Sequence, residues 1–128
     1  MPFNELPALP KKRKTTEADV TPKILDYFRK NFRDSCAIEI KATTGNNIPR
    51  SALQRHQEIA LKSATTSVLC HKISDASRSR LPFDAFMLYQ VPAFVVAAFI
   101  RHKIALVIPI DNWQGATPHT LAAYKIPL

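Results

Sequence analysis

The sequence predicts an α/β protein of the α+β kind, with one central mixed β-sheet flanked by helices. Two observations predict it. The apolar pattern runs helix, strand, helix and then a series of strands, an order that buries its apolar faces as helices packed on a sheet. The chain of 128 residues, 46% apolar and 22% charged, has room for one ordinary packed core. Folding a chain of this length buries about two-thirds of its unfolded surface.

The first 15 residues hold three prolines and the run Pro10-Lys11-Lys12-Arg13-Lys14, which reads as a flexible basic arm. From Glu17 the pattern turns helical. Glu17, Val20, Ile24 and Phe28 recur at spacings of three and four, and the helix starts between Thr16 and Thr21. Ser35 to Thr43 reads as a strand, with Cys36, Ile38 and Ile40 on one face and Ala37, Glu39 and Lys41 on the other. Thr44-Gly45-Asn46-Asn47 is a turn, and Pro49 opens a second helix over roughly 49–64. Leu53, Ala60, Leu61 and Ala64 make its apolar stripe, and Gln57 belongs to the same stripe.

Four strands follow, at Ser67–Ile73, Phe83–Tyr89, Ala93–Arg101 and Lys103–Ile110. The links Gln90-Val91-Pro92 and Arg101-His102-Lys103 are short enough for hairpins. Residues 16–113 thus form the domain, and 114–128 a tail with a short helix near Leu121–Tyr124.

Eighteen Lys and Arg face ten acids, for a net charge of +8 and a pI near 9.8. Such an excess serves solubility, and it also attracts polyanions, nucleic acid first and an anionic membrane second. The most apolar stretch, Val91 to Ile100, is far too short to span a bilayer. Two cysteines, Cys36 and Cys70, make neither a disulfide framework nor a zinc site; both read as buried thiols in an intracellular setting.

Three features could carry chemistry. Glu39 and Lys41, at i and i+2 on a strand, project to one face, either as a surface pair or as part of a site. Asp84, in Pro82-Phe83-Asp84 ahead of the run Ala85-Phe86-Met87-Leu88, is either a solvated strand end or a metal ligand. Gln57 is an amide on an apolar helix face, and a core-facing glutamine reaches either backbone or a site. His71, His102 and His119 stand at no ligand spacing, while His56 neighbours Gln57 and packs or joins the site.

Together these residues resemble the PD-(D/E)xK nuclease superfamily, in particular its Holliday-junction resolvase-like branch. Over about residues 17–110 the resemblance picks out Glu39-Ile40-Lys41 as the ExK element and Pro82-Phe83-Asp84 as the PD element. It matches Glu17 to an acid on the first helix and Gln57 to a glutamine on the helix after ExK. The chain departs from the pattern in that Asp84 follows Glu39 by 45 positions rather than preceding it. A permuted or swapped site is needed to bring the two together.

The resemblance implies a restriction-endonuclease-like fold and a Mg²⁺- or Mn²⁺-dependent endonuclease acting on branched or duplex DNA, as a homodimer where junctions are resolved. Asp84, Glu39 and the Ile40 carbonyl would then be the metal ligands, with Lys41, Gln57 and Glu17 completing the catalytic set. DNA contacts are expected from Lys11, Lys12, Arg13, Lys14, His71, Lys72, Arg78 and Arg80. The alternative is a non-catalytic nucleic-acid-binding protein with the same fold.

Overall fold

The structure, a computed structural model, describes residues 15–72 and 85–128. It is α+β, with two α-helices, a four-stranded mixed sheet and a separate two-stranded sheet. Helix α1 covers Glu17–Asn31 and is followed by β1, Ala37–Thr43. Helix α2 covers Arg55–Thr66, and then come β2 (Val68–Lys72), β3 (Ala85–Tyr89), β4 (Ala93–Phe99), β5 (Ile104–Pro109) and β6 (Tyr124–Pro127).

The start of α1 is settled by Thr16, whose backbone N–H donates to Asp19 Oδ2 at 2.8 Å, half of a capping box one turn long. Pro22 therefore sits inside the helix rather than opening it. Having no N–H, it withholds the bond its position would donate one turn back.

The large sheet runs β1-β4-β5-β6, with β4 parallel to β1 and antiparallel to β5. Every residue of β4 is buried. Its odd-numbered residues, Ala93, Val95, Ala97 and Phe99, pack with Leu53, Leu61 and Ala64 on the α2 side. Phe94, Val96 and Ala98 pack with Val20, Ile24 and Phe28 of α1 on the other. The sheet is thus sandwiched, and the alternation predicted for β1 holds: Ile38 and Ile40 join the α1 layer and Ala37 the α2 layer.

Four expectations are corrected. Pro49 opens only a 3-10 turn, Arg50–Ala52, and α2 begins after Gln54. Trp113 explains the break: its indole N–H donates to Arg50 O at 3.1 Å and ties that turn to the end of β5. Strands β3 and β4 form no hairpin, because β1 and β5 already occupy both edges of β4. Instead β3 pairs with β2, and the chain switches sheets at Gln90, whose φ is 49°, while Val91 N–H bonds Ala64 O at 2.8 Å. The segment read as a tail is built into the sheet as β6, with Ile126 2% exposed, and holds no helix. Cys70 is exposed rather than buried, and Cys36 is half-buried.

Gly115 joins this C-terminal segment to the rest at φ +86°, where an added Cβ would stand 2.8 Å from both Ile48 O and Arg50 N. Ile48 is also one side of a two-way bridge with Ala116, bonded at 2.8 Å in each direction. Gly115→Ala is therefore expected to destabilise the fold by about 1–3 kcal/mol, through the left-handed backbone and the contact with main chain. Urea unfolding checks this, and a midpoint equal to that of the parent would refute it.

Candidate functional site

Glu39 and Lys41 leave β1 on the face covered by α2, two residues apart on a strand that lies at the edge of the large sheet. Lys41 Nζ stands 3.5 Å from Glu39 Oε1. Gln57 completes the cluster from the first turn of α2. Its Oε1 accepts the Gln54 N–H at 3.0 Å, and its Nε2 donates to Glu39 Oε1 at 2.9 Å. The amide thus caps the helix with one end and fixes the carboxylate with the other. A glutamine is the side chain that does both, since it carries an acceptor and a donor on one planar group.

Among the described residues both polar contacts of Glu39 go to Oε1, so Oε2 keeps its lone pairs for a further partner. The side chains are 31% exposed at Glu39 and 19% at Lys41, half out of water and yet reachable. Ile40 contributes its backbone. Ala37 donates its N–H to Pro92 O at 2.9 Å, so the odd residues of β1 turn their peptide groups to β4. The even ones, Ile40 included, turn theirs to the other edge, which no strand among the described residues pairs.

Beside the cluster lies a cavity of about 550 Å³ lined by Glu39, Gln57, His56, Leu61, Leu69 and Leu88, among others. The leucines from β2 and β3 reach it through pairing between strands distant in sequence, which no local pattern announces. His56 stands at its exposed mouth. Cys36 also lines it, and burial pushes that thiol above its usual pKa, which keeps it protonated and a poor nucleophile.

Glu17 is placed apart from this cluster. It is exposed at the start of α1, on the opposite layer, and lines a separate groove with Thr15, Thr16, Thr43 and Thr44. Asp84, Lys11, Lys12, Arg13, Lys14, Arg78 and Arg80 lie outside the described residues, as do the side chains of His71 and Lys72. Among the described residues no group of three or more His, Cys, Asp or Glu gathers as a ready metal site. No helix among them is long and apolar enough to cross a membrane.

Two further cations share one acid. Lys62 Nζ and Arg50 Nη2 lie 2.9 and 3.5 Å from Glu58 Oε1. The Lys62 hydrogen bond, with the charges of Lys62 and Arg50, holds the Glu58 carboxyl below its ordinary pKa.

The arrangement offers a fixed carboxylate, an adjacent ammonium and an outward backbone carbonyl at one strand edge, next to a cleft. Such a set can bind a hard cation and a phosphate oxygen side by side. Comparison with protein-family models, curated proteins and solved structures finds no match to this chain.

Proposed function

We propose that the protein is a metal-dependent DNA endonuclease of the PD-(D/E)xK kind, similar to Holliday junction resolvases, that hydrolyses phosphodiester bonds. The observation that supports it most is the convergence of Gln57 and Lys41 on one oxygen of Glu39. It gathers in one cluster the residues that the resemblance matches to the ExK strand and to the glutamine on the following helix.

The donor set suits Mg²⁺ or Mn²⁺: Glu39 Oε2 and the Ile40 carbonyl are hard oxygens, and Asp84, the residue before β3, supplies the second carboxylate in this proposal. The bound ion would neutralise the scissile phosphate and lower the pKa of a bound water. Lys41 holds the attacking water or a non-bridging phosphate oxygen by its ammonium. Gln57 holds Glu39 by Oε1, which leaves Oε2 to the ion. The +8 chain draws the polyanion in, with Lys11–Lys14, His71, Lys72, Arg78 and Arg80 as further backbone contacts. Cutting two symmetric strands of a junction would require a second copy.

Incubation with labelled branched and linear DNA in Mg²⁺ or Mn²⁺ tests this. Cleavage is expected from the parent chain and is expected to be lost in Glu39→Ala and in Asp84→Ala. Persistent cleavage by both variants would remove these residues from the site. Salt-sensitive binding with no cleavage under any metal would favour the non-catalytic DNA-binding alternative.

A further inference from the structure

We propose that the turn Arg101-His102-Lys103, with the Thr44–Asn47 turn beside it, docks backbone phosphates of the nucleic-acid strand that enters the Glu39–Lys41 site. The inference rests on the nucleic-acid reading above and assigns a surface to it. The parallel pairing of β1 with β4 ends at Thr43 opposite Phe99, so the two turns leave the sheet at the same end. A bond of 2.9 Å from His102 Nε2 to Asn46 Oδ1 ties one turn to the other.

The basic turn is also pinned from behind. Lys103 sits in the left-handed region at φ 55°, with its N–H on Ile100 O at 3.2 Å and its carbonyl accepting from Leu128 N–H at 2.8 Å. Arg101, His102 and Lys103 are all exposed. Lys30, Lys41, Arg50 and Lys62 each pair with an acid, whereas no ion pair among the described residues involves Arg101 or Lys103. Both cations are therefore free of ion pairs among the described residues and stand on a pinned turn, which suits contact with phosphates.

Two grooves of about 380 and 300 Å³ open beside the turn and share Ile100, the second carrying Lys23 and Lys103; they lie on the α1 layer, opposite the layer of Glu39 and Lys41. Lys41 is level with Ala97, so Arg101 lies roughly 10–13 Å farther along the strand direction. That spans about three or four nucleotide steps of one strand.

The test measures anisotropy of labelled DNA with the full chain, in chelator, across a salt series. Arg101→Gln with Lys103→Asn removes both charges and retains a residue that tolerates the left-handed turn. The double variant is expected to bind every DNA more weakly, with a salt slope lower by about 1.5–2 and an unchanged thermal midpoint. Slope and affinity equal to those of the parent would overturn the docking surface. Metal-dependent cleavage, followed in parallel, separates the two ideas: cleavage with an unchanged slope sinks this surface alone. A lost slope without any cleavage sinks the hydrolytic reading alone, and a parent chain that binds no DNA sinks both.

Discussion

Lys41→Ala is expected to lower the rate of DNA hydrolysis by about 30- to 1,000-fold, equivalent to about 2–4 kcal/mol of transition-state stabilisation. The Lys41 side chain is 19% exposed and its ammonium stands 3.5 Å from Glu39 Oε1, so its charge acts in a partly dehydrated place. Truncation leaves Glu39 held by Gln57 at 2.9 Å, so the carboxylate keeps its partner on α2. The loss should fall on kcat with little change in DNA affinity, because one cation among 18 adds little to attraction at long range. Lys41→Arg keeps the charge while replacing a point donor with a planar fork, and is expected to recover only part of the rate. Single-turnover cleavage in Mg²⁺ decides it: a rate within a few-fold of the parent would leave Lys41 as a surface partner of Glu39.

How much of this site could be read from the sequence follows from the range of the forces involved. The alternation at Cys36–Lys41 is local and was enough to place Glu39 and Lys41 on one face and Ile38 and Ile40 on the other. Gln57 stood out because an amide on an apolar stripe demands a partner, and the partner proved to be Glu39. The β3–β4 link misled because a three-residue gap suggests a hairpin, while pairing is decided by which strand edges are free. Strand β6 left no pattern to read, since only Ile126 of its four residues is buried. The same limit applies to Glu17: helical periodicity gave its face but not which layer of the sandwich α1 would cover.

The proposed chemistry depends on β1 being held still, and that points to Phe99. It is fully buried at the end of β4, opposite Thr43 of β1 on one side and Ile104 of β5 on the other. Phe99→Ala removes a ring from the α2-side core and leaves a void that the flanking strands cannot close without shifting β1. The expected cost is about 3–5 kcal/mol, a large part of the roughly 5–15 kcal/mol that holds a domain folded. For a chain of this size the thermal midpoint should drop by about 10–20 °C. Leu121, 94% exposed, gives the contrast: Leu121→Ala should change stability by no more than about 0.5 kcal/mol. Urea unfolding of the two variants side by side checks both values, with the slope expected to stay constant. Equal midpoints for Phe99→Ala and Leu121→Ala would mean that the ring is not packed between β1 and β5, and the support assigned to Glu39 and Lys41 would fail with it.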